Sequence, residues 1–272
     1  MEETKKKKKS KLKIFGIILI LIFILCYSGF MFLYTGDIVY SISEDKTYYI
    51  ATTTTNGPTR QIDKIKVREK HEKLPIKAID SGAFTKESIV SISLPNTLEA
   101  ISSNAFTGSA YYKDDASWEI TYKEDANGKI EGELYRALYI SNYLIEVIFN
   151  DEFIGVNGTL PTFTVKDGTL GIAEGAFKTT NQEAEYIAIT VKIESDDLSF
   201  VGNHANYDFR SHYMSSDRDQ QRSSDIFDVK CDNYIILYDG TMSEWLEFDP
   251  NKYGGDYTYV VYCQDGTINV ID

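Results

Sequence analysis

Between Ile89 and Phe106 apolar residues fall at set places: Ile89, Ile92 and Leu94, then Leu98, Ile101 and the pair Ala105-Phe106. Ser91 and Ser93 alternate with Ile92 and Leu94, which is the period of a strand with one buried face. The residues after Leu94 lose that period and predict a bend that returns the chain. Similar openings stand at Ile62/Ile65/Val67, Leu160/Phe163/Val165 and Tyr186/Ile189/Val191. Their closings are Ile79 with Ala83-Phe84, Ile172 with Ala176-Phe177, and Val201 with Ala205. The four copies start 27, 71 and 26 residues apart, and the phrase Ile-x-x-x-Ala-Phe first recurs after 22.

One such unit is too short to bury its own apolar side. Stacking the units places each Ile or Leu over its counterpart and joins them into one core. A period of 20 to 29 residues with this opening predicts a leucine-rich-repeat solenoid with parallel strands. Ala of each Ala-Phe pair lets the chain turn closely, and Phe fills the interior. Asparagine usually follows the opening by three residues. Lys70, Thr97, Gly168 and Glu194 occupy that place, so no asparagine ladder is expected. In the fourth copy Val191 lies ten residues before Val201, where the second and third copies have seven, and Ala205 precedes Asn206. That copy is predicted to form a distorted coil.

The remaining pattern predicts what surrounds the coils at 61–106 and 160–205. Residues 35–60 read as an N-terminal β cap made of a strand pair, with the turn Thr55-Asn56-Gly57-Pro58. Residues 107–159 read as an insertion with a hairpin around Ser141-Asn142 and a polar loop at 123–132. Residues 206–232 form a polar loop and a degenerate coil. Two strands about 233–238 and 257–263 make a C-terminal β cap over 233–272, because solenoid ends need covering.

Residues 1–13 are basic and residues 14–34 carry no charge. As a helix the latter run spans roughly 31 Å, about the thickness of a hydrocarbon core. Lysines before it and an acidic domain after it predict a cytoplasmic N-terminus and an extracellular C-terminal domain in a single-pass membrane protein. A cleaved signal peptide is the competing reading. The run is longer than a signal core and no small-x-small site follows, which favours an uncleaved transmembrane helix. Of the whole chain's net charge of −13, the first 13 residues contribute seven Lys and two Glu. The remainder is therefore more acidic still, and such a surface repels phosphate backbones, so no nucleic-acid partner is expected.

Catalytic patterns are absent from the sequence: there is no H-E-x-x-H, G-x-S-x-G, P-loop, C-x-x-C or dinucleotide fingerprint. Ser43 to Lys46 matches S-x-x-K by chance, in an expected edge strand. His71 falls in a charged turn, while His204 and His212 flank Asp208. Asp196-Asp197 and Asp217/Asp219 lack a calcium-loop pattern. Neither a metal nor a cofactor is expected, and the chain reads as a non-enzyme. Cys231 and Cys263 are either a disulfide or two buried thiols.

Binding follows from strand geometry instead. Residues between the inward positions must point outward. They form rows of Lys64 and Lys66, Ser91 and Ser93, Thr162 and Thr164, then Ala188 and Thr190. Stacked roughly 4.8 Å apart, these predict a flat, hydroxyl-rich strip with a basic end.

Several phrases, in order, resemble the BspA-type leucine-rich-repeat surface proteins. They are "GDIVYSISEDKTYYIA" as opening strands, and "LPIKAIDSGAF", "SISLPNTLEAISSNAF" and "TFTVKDGTLGIAEGAF" as repeats. "AYYKDDASWE" with "GELYRALYISNYLIEV" resembles a family insertion, and "LYDGTMSEW" with "VVYCQDGTI" a closing cap. The likeness covers 36–272 and implies surface display with adhesion or binding, without a shared catalytic site. The expected partner is a protein or glycan at the cell surface, met through the strip. The rival expectation is a structural or scaffolding ectodomain that holds a neighbouring envelope protein.

Overall fold

Ile65 and Ile92 stand opposite each other in two parallel strands, and Lys64 and Lys66 stand opposite Ser91 and Ser93. The repeated openings therefore stack as parallel strands. The computed structural model describes residues 38–54, 64–102, 104–153, 161–180, 189–194, 196–202, 234–248 and 259–270. All but Thr54 belong to one compact unit. It is mainly β, with a solenoid arrangement of about five turns.

In chain order the strands begin with β1 (Ile38–Ile42), β2 (Tyr49–Thr54), β3 (Lys64–Lys66), β4 (Lys70–His71), β5 (Leu74–Ile79), β6 (Ser91–Ser93) and β7 (Ala100–Ile101). The short helix α1 (Ala110–Lys113) opens the insertion, followed by β8 (Trp118–Glu124), β9 (Ile130–Ile140) and β10 (Tyr143–Phe149). Then come β11 (Phe163–Val165), β12 (Gly171–Ile172), β13 (Phe177–Thr179), β14 (Ile189–Ile193) and β15 (Phe200–Val201). The chain ends with β16 (Tyr234–Tyr238), α2 (Met242–Phe248), β17 (Tyr259–Cys263) and β18 (Gly266–Val270).

Opening strands pair in parallel as β3 with β6, and as β11, β14, β16 and β17 in succession. Closing strands make a second ladder: β2, β5 and β7 in parallel, then β10, β12 and β15. Inward residues of adjacent rungs meet. Phe163, Val191, Ile236 and Val261 form one such row, each at most 3 % exposed. Burying a side chain of that size is worth roughly 1.5–3 kcal/mol, so the row itself is a large driving force. All three Ala-Phe pairs are buried, and Phe84 stacks on Phe106 with centroids 5.8 Å apart.

The fourth coil corrects its sequence reading. Phe163 pairs with Val191 and Val165 with Ile193, two residues later than the proposed opening at Ile189/Val191. Counted from Ile193, the closing Val201 lies eight residues on, against seven in the second and third copies. The expected distortion shrinks to a single extra residue. Ala205 lies outside the described residues.

The insertion is also more than an appendage. The hairpin around Ser141-Asn142 is present, with β9 antiparallel to β8 and β10, and the polar loop narrows to 125–129. Its second strand, however, joins the solenoid. Tyr143 and Leu144 pair in parallel with Gly171 and Ile172, and Val147 pairs with Phe177. Gly171 stands between Tyr143 and Phe200, whose rings stack at 5.7 Å. A Cβ there would sit 2.2 Å from the Phe200 ring, which is why the position is glycine.

At the ends, β1 and β2 form the expected N-terminal pair. Ser43 to Lys46 is a tight turn rather than an edge strand, with Lys46 N donating to Ser43 O at 3.0 Å and Lys46 at φ 59°. The two expected C-terminal strands are β16 and β17, yet both continue the parallel ladder, and the cap is the antiparallel β17–β18 hairpin. Among the described residues no helix is long and apolar enough to cross a membrane. The run at 14–34, the turn at 55–58 and the polar loop at 206–232 all lie outside them.

Candidate functional site

The outward positions of the opening ladder carry the predicted strip, with its register now fixed. At the N-terminal end Lys64 and Lys66 are exposed beside Ser91, half-buried, and Ser93, exposed. Among the described residues neither lysine has a carboxylate within ion-pair distance. In the second half Thr164 stands opposite Lys192, not opposite Thr190 as the sequence spacing suggests. The same register carries exposed Thr162 toward half-buried Thr190. Ala188 lies outside the described residues.

The strip comes in two parts rather than as one continuous band, because the insertion hairpin stands between them. Ser141 Oγ accepts from Leu94 N at 3.0 Å, just past β6. The Tyr139 hydroxyl accepts from Lys166 N at 3.2 Å, just past β11. Lys166 Nζ lies 4.7 Å from the Tyr139 ring centroid and pairs with Glu119. Burial pushes the Tyr139 hydroxyl up to about 12. The hairpin tip thus ties both halves of the strip through side chains.

Sequence reasoning missed the continuation of this face beyond Thr190 and Lys192. Thr190 leads on to Ile235 and Val260, and Lys192 to Leu237 and Tyr262. Ile235, Leu237 and Val260 are half-buried and Tyr262 is 49 % exposed. The strip therefore runs from cations through hydroxyls to an apolar quartet. Lys192 pairs with Glu194, which holds its ammonium above the usual lysine range. The alternation in Tyr234–Tyr238 was legible as a strand; that its outward residues are also apolar was the signal for this patch.

Two other polar features fall short of a reactive centre. Beneath the insertion, Glu146 accepts from the Tyr112 hydroxyl at 2.7 Å and from Lys178 Nζ at 3.0 Å. Ser102 Oγ donates to Glu174 Oε2 at 3.1 Å beside them. Burial, then the Glu146 charge, pushes the Tyr112 hydroxyl far above its ordinary value. The cavity they line is about 10 Å3, room for about one water and too small for a substrate. A surface groove of about 340 Å3 is lined by Glu133, Arg136, Asn150, Asp151, Glu152 and Thr180. Arg136 is already committed there, to Glu133 at 2.6 and 2.8 Å and to Asp115 at 3.1 Å.

Among the described residues no three or more His, Cys, Asp or Glu side chains converge as metal ligands. His71 pairs with Leu74 across the charged Glu72-Lys73 turn, stacks on Tyr40 at 4.6 Å and meets Tyr49 edge-on at 4.7 Å. His204, Asp208, His212, Asp217, Asp219 and Cys231 lie outside the described residues. Cys263 is half-buried, and burial raises its thiol.

No protein-family model, no curated protein and no solved structure matches this chain.

Proposed function

We propose that this chain is a single-pass membrane protein whose extracellular repeat domain binds a protein or glycan at the cell surface, without catalysis. Residues 14–34 serve as the anchor, residues 1–13 stay in the cytoplasm, and the coils are of the BspA leucine-rich-repeat kind that the quoted phrases resemble. Binding falls to the outward strip of Lys64, Lys66, Ser91, Ser93, Thr162, Thr164 and Thr190. One observation carries the reading: outward side chains of successive rungs align in register within each of two parallel ladders. A rigid row of that kind presents polar groups at a fixed spacing without paying to order a loop.

The competing reading is a scaffold that holds a neighbouring envelope protein. It is favoured by the short reach of about five turns placed directly after an anchor. Proximity labelling on living cells separates the two. A host, matrix or neighbouring-cell molecule that is lost when the seven strip residues become alanine supports adhesion. Labelling of a bilayer-embedded partner supports the scaffold. A partner retained in full by the alanine variant removes the strip from contention.

A further inference from the structure

A strand at the edge of a sheet offers unpaired N–H and C=O groups, and proteins blunt such edges with short strands, charges, proline or bulges. Most edges here are blunted. β8 has register breaks between Thr121 and Tyr122 and between Lys123 and Glu124, and carries Glu119, Lys123 and Glu124. β4 and β15 are two residues long, and β3 displays two exposed lysines. β1 is uncharged, but four of its five residues are half-buried and it begins where the described residues begin. β18 has none of these devices. Its sequence Gly-Thr-Ile-Asn-Val has no charge and no proline, and it pairs with β17 over five uninterrupted positions.

β18 ends the five-stranded sheet of β11, β14, β16, β17 and β18. A two-residue loop, Gln264-Asp265, closes on the Cys263/Gly266 pair. In such a hairpin the closing pair bonds across, and bonding then alternates along the strand. Thr267 and Asn269 therefore aim their N–H and C=O away from β17, and both are exposed. The hairpin is also held rigid. Gln264 N donates to Gly240 O at 2.8 Å, Gln264 Nε2 donates to Asp239 O at 3.1 Å, and Asp265 Oδ1 accepts from Met242 N at 2.7 Å. Among the described residues this is a preorganised edge with no further strand paired to it.

We propose that β18 is the surface through which two copies of this chain associate, antiparallel and edge to edge, in one sheet across a two-fold axis. A second copy fits because the edge is self-complementary. Pairing centred on Ile268 sets Thr267 against Asn269 of the other copy and Gly266 against its Val270. No like charges meet, although each chain carries a net charge of −13. Pairing through β3 would instead oppose lysines. Each copy gives two donors and two acceptors from Thr267 and Asn269. The contact is small, below about 1,200 Å2, so the association is weak and concentration-dependent. It borders the apolar quartet, because Thr267 and Asn269 pair with Tyr262 and Val260, but it uses main-chain groups and none of the seven proposed binding residues.

Amide hydrogen exchange on the full chain in detergent micelles, read together with sedimentation, tests this. The Thr267 and Asn269 amides point away from β17, and among the described residues no other strand pairs with this edge, so edge pairing between copies is what would protect them. The expected result is a dimer at high protein concentration, with both amides protected there and exchanging freely on dilution while Ile268 stays protected. Asn269→Pro removes one outward N–H, and Thr267→Pro removes the other. Both variants should be monomeric, with the Ile268 amide still protected as proof that the hairpin is folded. A wild-type chain that stays monomeric, or a dimer that both variants retain, overturns the proposal.

Discussion

Glu146 is a carboxylate inside the run Tyr-Leu-Ile-Glu-Val-Ile-Phe, only 4 % exposed. Its charge is tolerable because Lys178 and Tyr112 converge on it. Removing one partner of a buried pair leaves the other charge stranded, which typically costs about 3–5 kcal/mol. Lys178→Ala is therefore expected to lower the denaturant midpoint sharply. Lys178→Met combined with Glu146→Leu should recover most of the loss. Equal effects of the single and double variants would contradict the pairing. Neighbouring tyrosines make a pH prediction. Burial pushes Tyr143 and Tyr139 up to about 12, from 10.0 in an ordinary tyrosine. A raised pKa means that the folded chain keeps a proton the unfolded chain gives up. Stability should thus be complete below pH 10 and fall as pH rises from there toward 12. Tyr143→Phe should flatten part of that fall in denaturation series taken at increasing pH.

At the scale of elements, register is the sharpest result. Thr164 faces Lys192, so cysteines at those two positions should crosslink on mild oxidation, while Thr164→Cys with Thr190→Cys should not. The reverse outcome would restore the sequence alignment. Gly171→Ala should cost about 1–3 kcal/mol by thermal denaturation, because its methyl would meet the Phe200 ring. These elements also show what the sequence makes legible. Ile65 with Val67 and Ile92 with Leu94 are single pairs bounded by polar residues, so β3 and β6 could be aligned directly. Ile187, Ile189, Val191 and Ile193 alternate without a phase mark, and a shift of two residues keeps the same face buried. Only the distance to Val201 selects the register, and it favours Ile193. The role of β10 was hidden for a related reason. It lacks the Ala-Phe phrase, although unbroken burial from Tyr143 to Val147 is the mark of a strand covered on both faces. In α2, Thr241-Met-Ser-Glu244 is a capping box: Glu244 N donates to Thr241 Oγ1 at 3.2 Å and Thr241 N donates to Glu244 Oε2 at 2.7 Å. Its Thr-x-x-Glu spacing makes that helix start legible in the sequence.

For the whole molecule, parallel rungs build two surfaces at once, an apolar interior and an ordered exterior. The outward residues of β3 and β6 were placed correctly from sequence because they alternate with buried ones. The apolar quartet of Ile235, Leu237, Val260 and Tyr262 was not, because apolar residues on both faces of a strand look like core. The interruption of the strip by the Ser141 hairpin depends on contacts some 47 residues apart in sequence, from Leu94 to Ser141, which no local pattern encodes. The proposed function places recognition on this exterior. The measurement that meets that claim most directly is photocrosslinking on living cells from single positions in the full chain. Probes at Ser93 and Thr164 should capture the same macromolecule, while a probe at Ile130, exposed on the insertion, should capture none. Capture from Ile130 with silence from Ser93 and Thr164 would contradict it.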